Sequence, residues 1–61
     1  MKNFQDFRDN WITPEKEAEL IGRCMEQTEK TVNKDDLTFS ATFAGTFAIL
    51  LLSEYHEWVN Q

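Results

Sequence analysis

A thiol and an imidazole, Cys24 and His56, are each present once in this 61-residue sequence. A nucleophilic cysteine needs a neighbouring base and a polar, partly exposed setting. Helical spacing instead puts Cys24 on an apolar face and His56 on the polar arc of a different segment, so Cys24 reads as a small core residue. No Ser-His-acid arrangement, phosphate-cradling glycine loop or dinucleotide fingerprint accompanies them. Metal binding would rest on Glu54, His56 and Glu57. Glu54 and Glu57 can share a helix face, but His56 points away from Glu54. A lone histidine without a second ligand one turn away makes a poor zinc site. Di-iron bundles want a Glu-x-x-His motif on each of two helices, which Glu54-x-x-Glu57 does not supply. The expectation is a non-enzyme with no catalytic residue, no metal and no cofactor.

Binding chemistry is better represented. Lys16, Arg23 and Lys30 recur every seven residues and form a basic stripe that, doubled in a dimer, could follow a nucleic-acid backbone. Glu15, Glu19, Glu26 and Glu29 line its edge, and eleven acids against six bases give a net charge of −5. That balance opposes binding by phosphate neutralisation and attraction to an anionic membrane surface. Conversely, the interleaved bases interrupt the carboxylates too often for phosphate-backbone mimicry. The stripe reads as a solvated face laced with ion pairs, and Lys16→Ala is expected to shift stability by no more than about 0.5 kcal/mol. Phe4, Phe7 and Trp11, followed by Ile12, have the spacing of anchors in helix-in-groove recognition. The same rings could cover the open edge of a small core. Phe4, Phe7, Trp11, Lys16 and Arg23 are the partner-binding candidates.

Few breakers punctuate the elements that must carry these groups. Two glycines and one proline argue against a turn-rich β fold. The periodicity predicts an all-α chain forming a single small domain over 1–61. Its parts are a short helix at about 3–10, a helix at 14–32 and a helix at 36–60. Thr13 can cap the second helix, with Pro14 at its first position and Glu15 and Glu17 facing the positive end of its dipole. On a wheel of ~100° per residue, Ala18, Leu20, Ile21, Cys24, Met25 and Val32 share one side of it. Glu19 to Arg23 and Glu26 to Lys30 are favourably ordered i,i+4 pairs. Asn33-Lys34-Asp35-Asp36 reads as a tight turn, with Asn33 left-handed and Asp35 or Asp36 capping the third helix. So short a connection makes the two long helices an antiparallel hairpin.

The third helix has apolar residues over more than half its circumference. Phe39, Phe43, Phe47 and Leu50 make a bulky sector, expected to cover the second helix of the same chain. Leu37, Ala41, Ala44, Gly45, Ala48 and Leu52 make a smaller-residued one, while Thr38, Thr42, Thr46, Ser53 and His56 fill the remainder. One neighbour needs a stripe only ~100° wide, so this helix has faces for two. The expected use is a homodimer of hairpins, a four-helix bundle whose interface includes Ala41, Ala44, Gly45, Ala48, Leu52 and Tyr55.

Size points the same way. A 7.2 kDa chain buries apolar surface worth on the order of 90 kcal/mol. Ordering its residues costs about the same. One cysteine allows no internal disulfide, so self-association is the stabilising device that remains. The runner-up is a single membrane span through 37–53, a run of 17 uncharged residues at the lower limit of length. Against it stand five Ser or Thr, a Gly, and acidic flanks. The residues after Met1 carry polar groups throughout and offer no apolar h-region, so no secretory signal is expected and the expected location is the cytoplasm. In size and acidity the chain resembles accessory proteins of temperate phages and plasmids. That resemblance implies a non-catalytic regulatory or interaction module that binds another protein.

Overall fold

The computed structural model describes residues 2–61. Those residues form helices and turns with no strand among them. Helix α1 (Phe4–Asp6) runs directly into a π-helical stretch, Phe7–Trp11. Helices α2 (Pro14–Thr31) and α3 (Phe39–Val59) follow. Lys16 meets Glu54, and the Cys24 thiol meets the Phe43 carbonyl. The start of α2 therefore lies beside the end of α3, and the two long helices are antiparallel.

The start of α2 is built as its sequence dictates. Thr13 has extended backbone, and its Oγ1 accepts from the Lys16 N–H at 3.2 Å, with Pro14 in the first turn. A cap of this kind contributes about 1 kcal/mol. The other end differs from expectation. The helix stops at Thr31, Val32 is extended, and no described residue has a positive φ, so Asn33 is not left-handed. Asn33 works through its polar groups instead. Its carbonyl accepts from the Asp36 N–H at 2.9 Å and its Oδ1 from the Asp35 N–H at 3.4 Å. Asp36 then accepts from the Thr38 hydroxyl at 2.6 Å and the Thr38 N–H at 2.7 Å. Those two bonds hold its carboxyl below the usual aspartate range. The Asx turn they close delays α3 to Phe39, three residues later than the expected 36. Leu37, expected in the helix, is left fully exposed.

The first segment also departs from the expected continuous 3–10 helix. Asn3 caps α1 by accepting from the Gln5 N–H at 2.9 Å. The Ile12 N–H then reaches back to the Phe7 carbonyl at 3.0 Å, closing a wide turn. The extra residue in that turn rotates Trp11 relative to Phe7, so the two rings serve different neighbours.

Leu20, Cys24, Thr28, Leu50 and Phe7 are buried. Ile12, Phe43, Phe47 and Leu51 pack against the Leu20–Cys24–Leu50 cluster. The bulky sector of α3 thus covers α2, as its spacing implies. Within α2 the buried line is narrower than the expected apolar side, since Ala18, Ile21 and Met25 stay exposed. Thr28 continues it instead, its hydroxyl donating to the Cys24 carbonyl at 2.7 Å. A hydroxyl satisfied within its own helix can be buried without an unpaired-group penalty.

Gly22 lies on the outer side of α2, with nothing within 4 Å of where a Cβ would stand. Gly22→Ala is expected to raise stability by about 0.5–1 kcal/mol through helix propensity alone. A urea unfolding midpoint shifted upward relative to wild type is the measurement that checks it.

Candidate interaction surface

At one end of the hairpin the N-terminal rings are packed against α3. Phe7 lies edge-on to Tyr55, ring centroids 5.2 Å apart, and 5.4 Å from Trp58. Lys2 donates to the Trp58 carbonyl, and its ammonium sits 5.2 Å from the Trp58 ring centroid. Of the aromatic trio, Phe7 is buried, Trp11 half-buried, and Phe4 remains 62% exposed. A small apolar groove of about 280 Å³ runs between Phe4, Phe7, Leu51, Leu52 and Tyr55.

Beside the rings stands Glu54, whose side chain is only 12% exposed. Its Oε1 accepts from the Trp11 indole N–H at 3.0 Å and lies 3.0 Å from the Lys16 ammonium. That ammonium is also 5.3 Å from the Trp11 ring centroid. Burial pushes the Glu54 carboxyl up. Hydrogen bonds from Lys16 and Trp11, with the charges of Lys16 and Arg23, outweigh it and hold the group below the usual glutamate range. The hydrogen bond to Glu54 raises Lys16 in turn, against its own partial desolvation. Lys16 is therefore not the dispensable surface charge that its place in the stripe suggests.

The rest of the basic stripe is paired as the i,i+4 spacing implies. Arg23 lies 3.8 Å from Glu19 and Lys30 3.7 Å from Glu26, all four side chains well exposed. Cys24 and His56 are not brought together. The Cys24 thiol is fully buried and donates to the Phe43 carbonyl at 3.2 Å, whereas His56 is exposed beside Asn60. No group of three or more His, Cys, Asp or Glu side chains converges among the described residues.

The longest exposed apolar surface is the outward face of α3, at whose end Tyr55 also keeps one edge against Phe7. Ala41, Ala44, Gly45, Ala48, Leu52 and Tyr55 are all exposed. Two residues outside that expected set extend the face: Ile49, 68% exposed beside Leu52 at 66%, and Val59 at the end. A signal for Val59 lies in the spacing of Ala41, Gly45, Ala48, Leu52, Tyr55 and Val59. Alternating steps of four and three form the seam pattern of a coiled coil. Along one flank, Ile21, Phe43, Ala44, Phe47, Ala48 and Leu51 line a second apolar groove of about 580 Å³.

Removing Lys16 leaves a nearly buried carboxylate with one donor instead of two. Lys16→Ala is therefore expected to cost about 1–2 kcal/mol rather than the 0.5 kcal/mol typical of a surface charge. Because Glu54 titrates lower in the folded chain than in the unfolded one, its contribution is present at neutral pH. It fades as pH falls from about 4.3, the ordinary glutamate value, through the folded value. Urea midpoints of Glu54→Gln and wild type between pH 7 and pH 3 should differ most at neutral pH and converge in acid. No protein-family model, curated protein or solved structure matches the chain.

Proposed function

We propose that this chain is a non-catalytic protein–protein interaction module that works as a homodimer, two hairpins joined through the outward face of α3 so that the four helices lie in the order α2–α3–α3–α2. One observation carries the reading: an exposed apolar face runs from Ala41 to Val59 and includes Ile49 and Leu52, about two-thirds exposed in the single chain. Total accessible surface supports it. The chain exposes 4665 Å², against about 4,100 Å² for a compact monomer of this mass. In the dimer, the solvent side of α2, including Arg23, stays available to a further protein.

The single-span alternative loses its helix length. Since α3 begins at Phe39, only 39–53 of the uncharged run is helical, about 22 Å against a hydrocarbon core of about 30 Å. Among the described residues no helix is long and apolar enough to cross a membrane. A nucleic-acid reading is weakened in another way, because Lys16, Arg23 and Lys30 each already face a carboxylate.

Light scattering across a dilution series should find a species at twice 7.2 kDa, with a melting temperature that rises with concentration. Nothing in the single chain lies within 4 Å of where a Cβ would stand at Gly45, so a side chain introduced there points into the space a partner would fill. Gly45→Leu and Ala44→Leu should each weaken assembly by about 1–3 kcal/mol through overpacking. A monomer at every concentration, with neither variant lowering its melting temperature, overturns the reading.

A further inference from the structure

The seam residues on the outward face of α3 are not evenly sized. Ala41, Gly45 and Ala48 occupy its first half, and Leu52, Tyr55 and Val59 its second. About a midpoint at residue 50 the two halves are complementary: Ala41 mirrors Val59, Gly45 mirrors Tyr55, and Ala48 mirrors Leu52. A second copy laid antiparallel with its own residue 50 at the same level puts one small and one large side chain in every layer. The helix axes can then stay evenly spaced over the roughly 27 Å of the seam. A parallel copy would face Ala, Gly and Ala with themselves and then Leu, Tyr and Val with themselves. Such a pair wedges apart at one end and leaves voids at the other, and interiors tolerate neither.

Charge selects the same orientation. The ionisable side chains of α3 are Glu54, Tyr55, His56 and Glu57, all near its end, and none lies between Phe39 and Ser53. Antiparallel pairing sets each acidic end beside the uncharged half of the other helix, towards the positive end of its dipole. Parallel pairing would bring the two acidic ends together, and the two Asp35-Asp36 turns likewise, in a chain of net charge −5.

Resting on the dimer reading above, we propose that the occupant of this face is the α3 of a second copy, antiparallel, in the register Ala41–Val59, Gly45–Tyr55 and Ala48–Leu52. The layers of the α3–α3 seam are then heterotypic, and its two-fold axis lies at the level of residue 50.

Ala48 and Leu52 are exposed in the single chain, so exchanging them leaves the hairpin intact. In this register Ala48→Leu crowds a layer and Leu52→Ala empties one. Each should weaken the dimer about tenfold or more, and the double variant should return the affinity near wild type. Single cysteines at Ala41→Cys and Val59→Cys read the orientation directly, because Cys24 is fully buried and does not compete. Under mild oxidation neither variant should form a covalent dimer alone, while an equimolar mixture should. Self-linked Ala41→Cys and self-linked Val59→Cys, with no rescue in the double variant, would establish a parallel dimer and overturn the register. A doubled mass without either linkage would place the interface elsewhere and overturn it too. A monomer by light scattering would sink this inference together with the dimer itself.

Discussion

The Glu54 carboxylate ties three parts of the chain together on the side of α3 that faces α2, leaving the opposite side open. It holds the Trp11 indole and the Lys16 ammonium at 3.0 Å, joining the π-helical stretch, the first turn of α2 and the last third of α3. The segment before Thr13 is too short to stay helical in water by itself. It persists because Phe7 packs against both Tyr55 and Trp58 and Trp11 has an acceptor. With Glu54 turned towards Lys16, the line from Ala41 to Leu52 must lie on the far side of α3, since residues two apart in a helix point about 160° away from each other. A buried carboxylate would ordinarily be a liability. Two donors and a residual opening to water make this one a pivot.

Much of the fold was legible because it follows from periodicity and capping. Thr13-Pro14 marks the start of α2, Leu20 and Cys24 lie on the core line, and the phenylalanines of α3 face inward. Where the reading failed, a polar side chain had taken a role that residue type conceals. Thr28 is buried because it bonds back to Cys24. Asp36 ties up Thr38 before α3 can begin. Trp11 and Lys16 are occupied by a carboxylate 43 and 38 residues further along the chain, a pairing that no local pattern announces. The outward face of α3 was legible as surplus apolar surface. The end of that face at Val59 was missed, although its four-three spacing lay within the expected helix at 36–60.

Glu54 aside, acidity and apolar surface are kept apart in this molecule. The ion pairs of α2 hold charge on the solvent side of the hairpin, and the middle of α3 carries no charge at all. A small chain can therefore repel indiscriminate neighbours over most of its surface while presenting one face on which desolvation costs little. Small residues on half of that face allow close backbone approach, so dispersion can contribute as much there as the number of carbons removed from water.

The sealed thiol has a consequence of its own. Cys24 sits where α2 meets α3, its Sγ against the Phe43 carbonyl and no surface left to solvent. A thiol reagent can reach it only when the two helices part. The labelling rate of an unaltered chain is thus a clock on hairpin opening. Slow closure makes that rate the opening rate itself, and fast closure makes it the equilibrium between shut and open forms.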